Sequence, residues 1–246
     1  MIHFVQRRQK KPMETMEQLP NGLLLLQDDG YFKLGQDSVL LSHFARIPHR
    51  ARVLDLGCGT GVLSLLCWRK DLQITGLEIQ EGSIQLFARS IEKNKLSNVT
   101  VLQGDLREIR SLIPHGVMQY VLCNPPYFTT RSGKCAAQTA HATARQDETA
   151  NLEEIVSAMA WVLPTGGRCA IVFRPERLCA LLEALQSCGL TPKRMRFVHQ
   201  TASASPSAVM VACRRGSAEG LVVEPPLLVC DAEGRFTQEY RGIYGK

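Results

Sequence analysis

Long apolar runs are missing from this chain. A bilayer crossing needs about 20 apolar residues, and the longest local candidates, Leu23–Leu26 and Val62–Trp68, are far shorter. No membrane partner is expected. The N-terminal residues through Lys11 are basic and lead into Pro12 and polar residues, without the apolar stretch of a secretory leader. Paired cysteines are missing as well. Nine cysteines stand at positions 58, 67, 123, 135, 169, 179, 188, 213 and 230, an odd number with no Cys-x-x-Cys pair. A disulfide framework and a clustered metal site are therefore not expected, and a reducing cytoplasm fits best. There is no internal repeat and no low-complexity tract. A strong charge of one sign is also lacking: 29 basic and 23 acidic residues leave +6. That permits a nucleic-acid partner without demanding one. What remains is an ordinary globular composition, 45% hydrophobic over 246 residues, enough for one large domain with an appendage.

Residues 1–20 are polar and basic without periodicity and read as a flexible arm. Residues 21–50 read as a hairpin and helix appendage. Asp28-Asp29-Gly30 can close a hairpin between strands at 23–27 and 31–34, and a helix at 37–46 can be capped by Asp37 or Ser38. From residue 52 short β runs alternate with helical patterns. Strands are predicted at 52–56, 73–78, 99–104, 120–123, 168–173, 194–198 and 208–214. Helical patterns between most of them imply right-handed crossovers and a mostly parallel sheet covered on both faces. Between 198 and 208 there is no room for a helix, so the last two strands form an antiparallel hairpin. Leu221–Cys230 reads as an edge strand broken by Pro225-Pro226. The whole of 51–246 is thus one α/β domain with a C-terminal edge extension.

Asp55-Leu56-Gly57-Cys58-Gly59-Thr60-Gly61 follows a strand and opens a helix. Its glycines let the backbone turn sharply and approach a ligand. Glu78 ends the next strand, roughly 20 residues on, where an acid can accept from a ribose diol. The spacing is not the G-x-G-x-x-G of dinucleotide binders. A carboxylate at Asp55 repels a pyrophosphate and suits a cationic nucleoside such as S-adenosylmethionine. Asp105 ends the third strand and can accept from an adenine amino group. Cys58, Gly61, Ile79 and Leu106 flank these positions and complete the candidate cofactor wall, together with Asp37 and Asn124. This pattern resembles the class I S-adenosylmethionine-dependent methyltransferases over about 50–214. The resemblance implies a doubly wound, seven-stranded sheet with its seventh strand antiparallel.

Asn124-Pro125-Pro126-Tyr127 closes the fourth strand. An amide side chain and a proline carbonyl can accept both protons of a planar –NH₂, and the rigid prolines hold them in place. Tyr127 and Phe128 supply stacking faces. The motif resembles that of methyltransferases acting on planar nitrogens: adenine N6, guanine N2, or the glutamine amide of a protein. A binding module that keeps the cofactor but lacks turnover is a further reading. The flanks narrow the resemblance. Gly30–Leu41, Phe173–Leu178, Lys193–Val198, Pro225–Leu227 and Phe236–Tyr240 are similar in order to segments of the bacterial tRNA adenine-N6 methyltransferases acting beside the valine anticodon. That resemblance covers about 18–244 and implies a tRNA partner. The chain departs from the family at Ala144-Arg145-Gln146-Asp147, where the family often has Ala-Arg-His-Glu. Arg145 keeps its place and is a candidate phosphate contact. Lys193, Arg194 and Arg196 form a basic cluster that could meet RNA, as do Arg7, Arg8, Lys10 and Lys11.

Overall fold

The computed structural model describes residues 14–31, 33–125 and 150–245. Its chain begins with an antiparallel pair, β1 (Glu14–Gln18) and β2 (Leu24–Asp28), in the register Glu14↔Asp28 to Gln18↔Leu24. The hairpin therefore lies earlier than the sequence suggests. It uses part of the expected arm, and it turns at 19–23 with Gly22 at φ +85° rather than at Asp28-Asp29-Gly30. The described residues of 31–34 form no strand, and the second edge of β2 is occupied by α3 (Glu81–Lys93). Asn94 takes the Leu24 N–H and donates to its carbonyl at 2.8 and 2.7 Å, and the Ser90 hydroxyl accepts from Leu26 N at 3.0 Å. A strand edge already bonded to a helix has nothing to offer another strand.

Helix α1 (Gln36–Phe44) follows, with Gly35 at its N-cap and no side-chain cap. Then come β3 (Arg52–Leu56), α2 (Val62–Leu66), β4 (Gln73–Glu78), α3 (Glu81–Lys93), β5 (Val99–Gln103), a 3-10 turn, α4 (Ile109–Leu112) and β6 (Tyr120–Cys123). After the undescribed 126–149 the order continues with α5 (Leu152–Val162), β7 (Arg168–Phe173), a second 3-10 turn, α6 (Leu178–Ser187), β8 (Leu190–His199) and β9 (Pro206–Arg215). The short β10 (Val222–Val223), β11 (Leu227–Leu228) and α7 (Gln238–Ile243) close the chain.

The main sheet runs β10-β8-β9-β7-β6-β3-β4-β5, with β11 on the far end of β8. All pairings are parallel except those of β9. Seven strands form its body, as expected. The two short pieces flanking Pro225-Pro226 both add to the β8 edge, so the sheet has nine in all. Side chains alternate between two cores. Val53, Tyr120, Leu122, Ala170 and Val172 face one layer, packed under α1, α2 and α3. Leu54, Val121, Cys123, Ile171 and Phe173 face the other, packed under α5 and α6. The chain winds outward from β3 through β4 to β5, then returns to β6 and β7. The crevice at that reversal opens at the carboxyl ends of the strands.

Candidate active site

Three strand ends place carboxylates around that crevice. Asp55 on β3 is almost wholly buried, and one of its oxygens accepts from the Ser64 N–H at 2.9 Å and the Ser64 hydroxyl at 2.7 Å. Burial pushes its carboxyl up to about 6. Glu78 ends β4. Its Oε2 accepts from Gly59 N at 2.9 Å, and its Oε1 accepts from Ile79 N and Gln80 N, each at 2.9 Å. One acid thus pins the glycine loop to the start of α3. Asp105 follows β5, caps the 3-10 turn through Arg107 N at 2.9 Å, and pairs with the Arg107 guanidinium. That contact holds its carboxyl below the usual range.

These groups line one cleft with Gly57, Cys58, Gly59, Ile79, Leu106 and Asn124. Ser38, Leu63, Ala150 and Ile155 complete much of the wall. Among the described residues no arginine or lysine lines it. Gly57 and Gly59 have φ of +72° and +53°, and a Cβ on either would meet no protein atom within 4 Å. Their missing side chains leave room for a ligand. Gly61 differs: a Cβ there would fall 2.0 Å from the Phe87 ring, so its bareness serves packing. It does not line the cleft, and neither does Asp37, which lies in the first turn of α1. The neighbour of Asp37, Ser38, is among the lining residues.

Ser38 is also the residue that the sequence reading missed. It was expected as a helix cap. Instead its hydroxyl accepts from Asn124 Nδ2 at 2.9 Å. With the amide N–H turned to Ser38, Asn124 presents Oδ1 as its acceptor. A serine one turn inside an uncapped helix start is a weak signal, and only the 86-residue contact reveals it. Pro125 is buried next to Asn124. Pro126, Tyr127, Phe128 and Arg145 lie outside the described residues. The basic trio splits. Arg194 reaches Glu224 at 2.9 Å, and Arg196 pairs with Glu239 at 2.7 Å, so both tie down the C-terminal segment.

A family model for the methyltransferase small domain matches residues 34–198, from α1 to the end of the β8 core. The chain belongs to that family. It is a methyltransferase of the small-domain type, and S-adenosylmethionine is its cofactor. The cleft fits such a ligand on its own terms. Acidic groups, bare glycines and apolar walls suit a cationic nucleoside, and no basic residue among the described ones lines it to hold a pyrophosphate. The chain is 28% identical over 85% of its length to a tRNA1(Val) (adenine(37)-N6)-methyltransferase of Bacteroides fragilis, 87% of which is covered. It is 25% identical to one of the same name from Pseudoalteromonas translucida, over 85% of this chain and 88% of that one. In fold it resembles the crystal structure of a predicted O-methyltransferase from Agrobacterium tumefaciens, with TM-score 0.70, 18% identity, and 85% and 95% of the two chains covered. Among the described residues no helix is long and apolar enough to cross a membrane.

Proposed function

We propose that this small-domain methyltransferase methylates the N6 nitrogen of an adenine in tRNA. The observation that carries the reading is the fixed amide of Asn124. Its N–H is bonded to Ser38, so its oxygen is the group offered at the cleft. An acceptor there suits an amino group, and the relatives of matching length are named for adenine-N6 transfer. Asn124 Oδ1 accepts a hydrogen bond from one N–H of the substrate amine and the Pro125 carbonyl from the other, and the one proton lost on methylation passes to water. Both bonds favour a nitrogen whose lone pair is withdrawn from the ring. Tyr127 and Phe128 stack on the base.

Glu78 would hold the cofactor ribose, Asp105 its adenine amino group, and Asp55 its amino-acid end. When bound, S-adenosylmethionine supplies an electrophilic methyl group. No strong base is needed, because alignment and exclusion of water carry the rate. An adenine inside a stack must leave it to reach this cleft. We place the activity in the cytoplasm, consistent with eight described cysteines that are all free thiols.

The test is the partition of labelled methyl groups between acceptors. Wild-type protein, labelled S-adenosylmethionine, and either total bacterial tRNA or a purified protein extract are combined separately. Label is expected in the tRNA. Label confined to protein would support the glutamine-amide chemistry instead and overturn the reading.

A further inference from the structure

The end of the sheet opposite the cofactor cleft carries several cations, three of which have no ion pair among the described residues. Two adjoining depressions lie there. One is lined in part by His49, Arg50, Arg168 and Arg214, the other by Arg46, Lys193, Arg194 and the same Arg168 and Arg214. Among the described residues neither is lined by an Asp or Glu. Arg168 and Arg214 are direct cross-strand partners at the start of β7 and the end of β9. Side chains so placed share a face, and like charges there repel. The Arg214 guanidinium lies over Gly166, with Nη2 3.5 Å from where a Cβ on that glycine would stand.

The nearby acids are already taken. Asp71 serves Arg69, His49 and the Arg50 N–H, and Glu224 serves Arg194 and Arg46. Lys193 caps the Ala218 and Glu219 carbonyls, which leaves its charge unbalanced. Among the described residues the Arg50, Arg168 and Arg214 side chains have no ion pair and no hydrogen bond. Concave, acid-free and arginine-rich, the surface suits a string of phosphates.

We propose that this groove is a second RNA-binding surface, which holds the sugar–phosphate backbone of the substrate away from the methylated base. The proposal rests on the tRNA reading above. The separation is compatible. The two edges are about one strand length apart, roughly 17 Å for five residues, whereas a double-stranded RNA-binding domain can span about 16 base pairs. The contacts are to backbone and carry no sequence information. Affinity for the folded RNA then comes from this edge, and choice of the base from the other.

The test uses the full-length protein. tRNA binding is titrated across a salt series for wild type, R168Q/R214Q and R168K/R214K. Melting temperature and S-adenosylmethionine affinity are checked for each. R168Q/R214Q is expected to bind about tenfold more weakly near physiological salt, with a log–log salt slope smaller by about 1–2. It should keep native melting and cofactor affinity. R168K/R214K should keep most of the binding. Unchanged affinity and slope in R168Q/R214Q, while the wild type still methylates tRNA, would remove the groove and leave the function standing. Equal losses in both variants would indicate packing and would also overturn it. A wild type that neither binds nor methylates tRNA would fail both proposals together.

Discussion

Gly57, Gly59 and Gly61 share positive φ, yet a methyl group added at Gly61 meets different surroundings from one added at the other two. At Gly61 it would strike the buried Phe87 ring, and the backbone would be strained as well. Gly61→Ala should therefore destabilise the fold by roughly 2–4 kcal/mol, combining overpacking with αL strain. At Gly59 a methyl group meets only open cleft. Gly59→Ala should cost about 1 kcal/mol of stability and weaken cofactor binding far more in proportion. Denaturant melts paired with calorimetry separate the two, and equal stability losses would contradict the distinction.

Asp55 makes a pH-dependent prediction. Its folded carboxyl is raised from 3.8 to about 6, so between those values the native state holds a proton that the unfolded chain has released. Stability then falls as pH rises through that window, on the order of 3 kcal/mol for this one group. Asp55→Asn should remove that slope: variant minus wild type should shift in favour of the variant from pH 4 to 7. A difference constant with pH would contradict the assignment. Asn124→Ala should lower turnover about 10²–10³-fold with cofactor affinity nearly unchanged. Ser38→Ala should lower it less, because the amide is only freed to turn.

At the scale of elements, the C-terminal segment is latched by arginines of β8. Arg194 stacks over Phe44 at 4.2 Å, donates to the Phe44 carbonyl at 2.6 Å, and approaches Glu224. Arg194→Ala should cost about 2–4 kcal/mol, as expected for breaking a mostly buried pair and a cation–π contact. Sequence alone offers Arg194 and Arg196 to RNA, because their partners lie 30 to 150 residues away along the chain. It misplaced the hairpin for a related reason. Asp28-Asp29-Gly30 is a good turn locally, and indeed Gly30 N bonds Asp28 Oδ1 at 2.7 Å. What forbids the strand after it is Asn94 and Ser90, which belong to α3. Elements with local signals, such as the glycine loop and the strands of the sheet body, were legible to within a few residues.

Across the whole molecule, the strand–helix alternation made the doubly wound sheet legible, and the antiparallel β9 followed from the short connection before it. Three carboxylates at three strand ends were legible as one crevice because parallel strands bring their carboxyl ends together. The opposite edge was not legible. Arg50, Arg168 and Arg214 are far from one another in sequence and meet only because the order β9-β7-β6-β3 brings them to one end of the strands. The most direct measurement is nucleoside analysis of tRNA after reaction with wild-type protein and S-adenosylmethionine, with Asn124→Ala as control. The account predicts N6-methyladenine, formed by the wild type and nearly lost in the variant. N2-methylguanine as the methylated product, with no N6-methyladenine, would contradict it.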